Sequence, residues 1–306
     1  MKKTLVVLIL LSLLTACDDR KMTICTTSYP MEWLVKHLAD VEANHCSLAK
    51  GDFFGRATLD ETVLDQPMDV IFFNQQLEPY FRTSRSQLAR VSKQIIDLSA
   101  TSRSLPYKKQ VTASGSQDYY EALNDYLTNK YTLEPVHWMD MKMMTSMART
   151  ILDWLIENDA VNAALYTQRF KNLEIDLLNL DARFSELALS SDIKFAAVSS
   201  AFNVWNHTYG IDVFPIIISR YGVLPNQQQL EIIVDELIAN NVHFLIYEFY
   251  EDEDLMDLQD YLLQEVGLTP VYLSSMFALN SQQKLNNENY ISIMTNNLVL
   301  LEALQK

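Results

Sequence analysis

Short apolar runs alternate along the chain with segments whose apolar residues recur every three or four positions, the strand–helix alternation of an α/β protein. The runs predict strands at Met22–Thr27, Cys46–Ala49, Val70–Asn74 and Gln94–Leu98, then at Ile193–Ser199, Val213–Ser219, His243–Glu248 and Pro270–Leu273. Four fall on each side of a helical middle. That division predicts two similar lobes with mainly parallel sheets. In the middle, Met144, Met147, Ala148, Ile151, Leu152 and Leu155 mark an amphipathic helix. After Asn158-Asp159, Tyr166, Phe170, Leu173, Leu177, Leu180, Phe184 and Leu187 alternate steps of four and three without a Gly or Pro. They predict a helix from about Val161 to Ala188, a rod of roughly 40 Å at ~1.5 Å per residue that joins the lobes. A coiled-coil dimer would need more heptads and no α/β units at both ends.

Further on, Pro225-Asn226 introduces a helix with Leu230, Ile233, Val234, Leu237 and Ile238 on one face. The acidic run Glu251–Asp254 sits where the next helix starts, and the positive end of a helix dipole favours acids there. It lacks the alternating oxygen ligands and central Gly of a calcium loop. Gly267 then ends that helix. Ser102–Pro135 has weak periodicity, as expected of a capping or surface segment.

The first residues are read as an address. Lys2 and Lys3 precede the apolar run Leu5–Leu14, too short for the ~20 residues of a spanning helix, and Leu14-Thr15-Ala16-Cys17 follows. The order is similar to a bacterial lipoprotein box. It implies a signal peptide over residues 1–16, a diacylglyceryl group on Cys17 and tethering to the outer face of the cytoplasmic membrane. The expected organisation is then a first lobe over 17–158, a linking helix within 159–190 and a second lobe over 191–306, with the ligand cleft between lobes.

Charge narrows the function. The 306 residues carry 24 Lys and Arg against 39 Asp and Glu, for a formal charge of −15. Such a field repels phosphate backbones, so no nucleic-acid partner is expected. Only 6 Gly are present, and no dinucleotide, Walker, nucleophile-elbow or HExxH motif occurs. No activated nucleophile or acid–base pair argues for an enzyme. Three Cys are too few for a disulfide scaffold. Cys25 and Cys46 fall in neighbouring predicted strands and are expected to be buried thiols, in a compartment that also permits their pairing.

About nine matches in order now carry a family resemblance over nearly the whole chain. Thr26-Thr27-Ser28-Tyr29-Pro30 with Trp33, Asp69-Val70-Ile71-Phe72-Phe73-Asn74 with Leu77-Glu78, Pro135 with Trp138-Met139-Asp140, and the long helix are four of these. Ala201-Phe202 with Tyr209-Gly210, Ile246-Tyr247-Glu248, and Tyr290, Met294, Asn297 and Leu298 continue the order. The chain resembles the metal-binding class of bacterial ABC-transporter substrate-binding lipoproteins, which carry zinc or manganese to a permease. The resemblance implies two lobes, a partner permease, a monomer and a metal held between the lobes by His and carboxylate side chains.

The ligand positions depart from that pattern. Alignment on the matched segments puts the first ligand at Phe53 or Phe54, the second at Val136, the third at Ser199 and the fourth at Ser274. None offers the imidazole, thiolate or carboxylate that transition metals prefer, so no metal is expected there and no cofactor is implied. His137, one residue from the second position, would reach the cleft only through a bulge, since successive side chains of an extended segment face opposite ways. Asp52, Asp140 and Glu248 are further cleft neighbours, with helix capping or hydrogen bonding the expected role of Asp140 and Glu248. The expected function is a surface-anchored solute-binding lipoprotein with a degenerate metal site and an unknown ligand or accessory role. The alternatives are metal uptake by a shifted ligand set and an adhesin.

Overall fold

A computed structural model describes residues 20–108, 130–190 and 193–304. Cys17 and most of the weakly periodic stretch after Ser102 lie outside the described residues. The first lobe opens with β1 (Met22–Thr26) and α1 (Tyr29–Ala39), then β2 (Ala43–Ser47), the two-residue strands β3 (Ala49–Lys50) and β4 (Thr58–Leu59), and β5 (Met68–Phe73). Helix α2 (Pro79–Val91) and β6 (Ser92–Asp97) complete its sheet. The four longer strands are parallel in the order β2-β1-β5-β6. Every residue of β5 is buried, as expected of a central parallel strand covered on both faces.

Helices α3 (Met141–Asn158) and α4 (Ala163–Ser190) form the predicted middle. The apolar stripe of α4, from Tyr166 to Leu187, is buried throughout. Its first half is tied to the first lobe, where the Arg169 guanidinium donates to the Leu38 carbonyl at 2.9 Å and to Glu42 at 3.0 Å. Its second half meets the second lobe. Phe184 stacks on Tyr209 at 5.1 Å, and Arg183 pairs with Glu302 at 2.9 Å. The 28 residues span about 42 Å at ~1.5 Å each.

The second lobe runs through β7 (Lys194–Ala197), the short α5 (Trp205–Thr208), β8 (Asp212–Pro215) and α6 (Gln227–Ala239). It ends with β9 (Phe244–Tyr247), α7 (Glu253–Val266), β10 (Thr269–Tyr272), α8 (Ser281–Leu285) and α9 (Tyr290–Ala303). Its strands are parallel in the order β10-β9-β7-β8. In each lobe the first strand lies between the second and the third, so the two sheets share one topology. The order reverses between first and third strands, and the carboxyl ends beside that reversal form the crevice where α/β sheets bind ligands.

Local expectations hold where capping chemistry decides. Asn226 caps α6 with Gln229 in a reciprocal capping box, and Gly267 leaves α7 with φ +76°. Two expectations fail. Ile238, placed on the buried face of α6, is 53% exposed, and Ile233 and Leu237 carry that face. Cys25 and Cys46 are not free thiols. The β1–β2 register sets them opposite one another with Cα atoms 4.5 Å apart, and they form a disulfide.

Candidate functional site

The expected ligand positions all fall on loops: Phe53 and Phe54 after β3, Val136 ahead of α3, and Ser199 and Ser274 just past β7 and β10. Phe53 and Phe54 begin a turn between β3 and β4, and both are buried. Their rings stack at 5.1 Å. From there Phe53 meets the edge of Tyr250 at 5.6 Å and Phe54 that of Phe277 at 5.9 Å, both in the second lobe. Tyr131 approaches Phe54 at 6.4 Å. Val136 is likewise buried, at 1% exposed. Phe53 and Phe54 therefore present hydrocarbon to the second lobe.

The same turn fastens the lobes together. Gly55 runs so close to Gly222 that a Cβ on Gly55 would lie 2.6 Å from the Gly222 nitrogen. Gly222 has φ +62°, which an L side chain resists. Beside this contact, Arg56 donates from Nε to the Gly222 carbonyl at 2.9 Å and pairs with Asp252. Asp52 accepts from the backbone N–H of Glu251. The acidic run was expected at the start of a helix, where Asp252 accepts from Asp254 N–H, but its partner across the cleft was not foreseen.

The second-lobe positions belong to a hydrogen-bonded network around Glu248, which follows β9 and is 8% exposed. One carboxylate oxygen accepts from the Ser199 hydroxyl at 3.2 Å and the Tyr250 hydroxyl at 2.7 Å. The other accepts from Ser275 N–H at 2.7 Å. Burial pushes the Glu248 carboxyl up, and these donors pull against it. Ser274 is held by its backbone, which exchanges hydrogen bonds of 3.0 and 2.9 Å with the Asn297 amide. A groove of about 710 Å³ opens onto this network, lined in part by Asp52, Glu248, Phe249, Glu251 and Ser274.

The remaining candidates point elsewhere. His137 is 3% exposed, with Nδ1 against the Ser102 hydroxyl and Nε2 3.2 Å from the Glu134 carbonyl. Burial lowers its pKa. Asp140 caps α3, accepting from Lys142 N–H at 2.8 Å and Met143 N–H at 3.1 Å, and takes the Thr208 hydroxyl at 2.6 Å. Among the described residues no group of three or more His, Cys, Asp or Glu is arranged to hold a metal ion.

Two buried acids were assigned no site role from the sequence, although Glu78 stands in one of its matched segments. Glu78 follows β5, accepts from the Thr27 hydroxyl at 2.6 Å and Asn74 N–H at 3.0 Å, and burial raises its pKa to about 8. Glu134, 0% exposed, accepts from Lys108 N–H at 2.8 Å and the Asn203 amide at 2.7 Å, and burial raises it likewise to about 8. The place of Glu78 ahead of Pro79 at a helix start, in a matched segment, was the available signal for the first. Nothing local marks the second.

Residues 57–303 match the family model of the periplasmic zinc-uptake complex component A. No curated protein matches the chain in sequence. Among solved structures the chain is similar to the periplasmic zinc-binding protein TroA of Treponema pallidum, at 16% identity and a TM-score of 0.74, covering 94% of this chain and 99% of that one. It is similar to FpvC of Pseudomonas aeruginosa in complex with Mn2+, at 19% identity and a TM-score of 0.70, over 94% and 99%. The laminin-binding adhesin Lmb of Streptococcus agalactiae is a third, at 18% identity and a TM-score of 0.70, over 93% and 98%. At such identities the structural likenesses carry the fold alone.

Proposed function

This chain belongs to the family of the periplasmic zinc-uptake complex component A, and from that premise we propose that it is a lipid-anchored member whose metal site is degenerate. Proteins of this family are substrate-binding proteins, not enzymes, and they work with an ABC permease and its ATPase. No described helix is long and apolar enough to cross a membrane. In our reading the chain acts beside such a permease as a monomer, in an accessory role or with a non-metal ligand.

The observation that carries this reading is the plugged cleft. Phe54 and Val136 have no lone pair to offer a cation, and the hydroxyl of Ser199 is spent on Glu248. Glu248 is in turn fully engaged. Both nitrogens of His137 have partners outside the cleft, which argues against a shifted ligand set. Aromatic contacts and the Gly55–Gly222 approach hold the lobes where a bound metal would otherwise draw them together.

The test is titration of the metal-stripped chain with zinc and with manganese, repeated on His137→Ala. No stoichiometric submicromolar binding is expected in either protein. Tight binding abolished by His137→Ala would restore metal delivery as the function. Anchoring is tested separately, since Cys17→Ser should release the chain from membranes or leave its precursor uncleaved. Unchanged fractionation and processing would remove the anchor from the proposal.

A further inference from the structure

The outer rim of the second-lobe sheet carries an aromatic surface that the cleft does not use. Tyr247 ends β9, Phe249 follows it, and Tyr272 ends β10, the edge strand of the sheet. Phe249 and Tyr272 stack at 5.8 Å with planes 13° apart, and Tyr247 meets both edge-on at 5.9 and 5.4 Å. Yet Phe249 is 59% exposed and Tyr272 53%. Two large rings ordered against each other and open to water form a preassembled platform. Phe249 also lines the 710 Å³ groove, so the platform continues into a concave surface.

The charge around this platform has one sign. Between Arg220 and Lys284 the chain contains no Lys or Arg. Glu251, Glu253, Asp257 and Asp260 are exposed over that stretch. Asp260 accepts from the Tyr247 hydroxyl at 3.2 Å, which fixes a carboxylate at the edge of the aromatic group. Among the acids Arg56 pairs with Asp252 and Asp254, and Lys284 is the one cation lining the groove among the described residues.

Complementarity then selects the occupant. Anionic lipid or a second copy of this chain, at −15, would bring like charge to the rim. A cation bonds the carboxylates and lies over the ring faces, and a planar guanidinium does both better than an ammonium. We propose that the Phe249–Tyr272 platform and the adjoining acidic groove form a docking site for an arginine-bearing basic segment of a partner protein. The site does not depend on whether the cleft binds metal. It adds to the chain a recognition surface that borders the ligand positions, sharing Glu248 and Ser274 with them through the groove.

The experiment is fluorescence anisotropy of a labelled hexa-arginine peptide titrated with the purified chain, at low and at physiological ionic strength. Hexa-lysine and free arginine serve as comparators. Hexa-arginine should bind more tightly than hexa-lysine and weaken as salt rises. Phe249→Ser/Tyr272→Ser should weaken it about fivefold or more with melting unchanged, the combined loss of two exposed cation–π contacts. If that variant melts early, Glu251→Gln/Asp257→Asn is measured in its place, with the same direction expected. Three results would overturn the proposal. They are no binding at low salt, binding indifferent to both variants, and free arginine competing as well per guanidinium as the peptide, which would mark a small-molecule site.

Discussion

The two lobes close the cleft by different chemistry on a common plan. In each, a buried glutamate follows the third strand of the sheet and accepts a hydroxyl from a residue just past the first strand. Thr27 serves Glu78 at 2.6 Å, and Ser199 serves Glu248 at 3.2 Å. Beyond that shared pair the lobes diverge. The first presents the apolar turn of Phe53 and Phe54 and seals by shape. The second surrounds Glu248 with Tyr250 and Ser275 and seals by hydrogen bonds. In the proposed reading the cleft loses its cation chemistry twice over, once by removing lone pairs and once by spending them internally.

The sharpest way to break this asymmetry is to wedge the turn of the first lobe. Gly55→Val puts a side chain into the Gly222 backbone, 2.6 Å from the nearest atom already at its Cβ. Overpacking of this kind is expected to cost about 3 kcal/mol and to separate the lobes. Calorimetric melting should fall and the radius of gyration from small-angle scattering should rise. A variant that melts and scatters like the parent would mean that shape does not hold the cleft shut.

The paired glutamates give the next test. Glu78 has a folded pKa of about 8 against an ordinary 4.5, so between those values the folded chain holds a proton that the unfolded chain has released. Its contribution is full below pH 4.5 and is lost as pH rises through 8. Stability should decline from pH 5 to pH 8, and Glu78→Gln should flatten part of that slope. Its gain at pH 8 should be on the order of 2 kcal/mol. Glu134 and Glu248, also raised by burial, add to that decline, while the lowered imidazoles of His37, His137 and His207 oppose it at the acid end. Identical pH profiles for parent and variant would show Glu78 charged in the fold.

The smallest effect is expected in the second lobe. Tyr250→Phe keeps the ring against Phe53 and removes one donor from Glu248. A cost of about 1 kcal/mol should follow, with Glu248 shifted further upward. Carboxyl titration by NMR would register the shift. A downward shift would contradict the network as drawn.

Much of this architecture was legible in local pattern. The apolar runs located both sheets because buried parallel strands must be apolar on both faces. Asp140 read as a cap because an acid precedes an amphipathic run, and it caps α3 through two N–H groups. What escaped depends on residues distant in sequence. Arg56 and Asp252 are 196 positions apart, and nothing near either names the other. The Cys25–Cys46 bond required the β1–β2 register, which alternation in strands buried on both faces does not specify. The predicted strand Cys46–Ala49 begins instead at Ala43 and breaks at Leu48, whose N–H turns to the Thr26 carbonyl at 2.7 Å.

Helix α4 has a mechanical consequence. It behaves as a beam clamped at both ends, with Arg169 gripping one lobe and Phe184 and Arg183 the other. Loop hinges swing freely, whereas a helix stores elastic energy when bent, and long helices curve only gently, with radii of about 60–100 Å. Travel of the lobes is therefore narrow, and whatever meets this molecule does so against a stiff frame whose outer edges scarcely change their spacing.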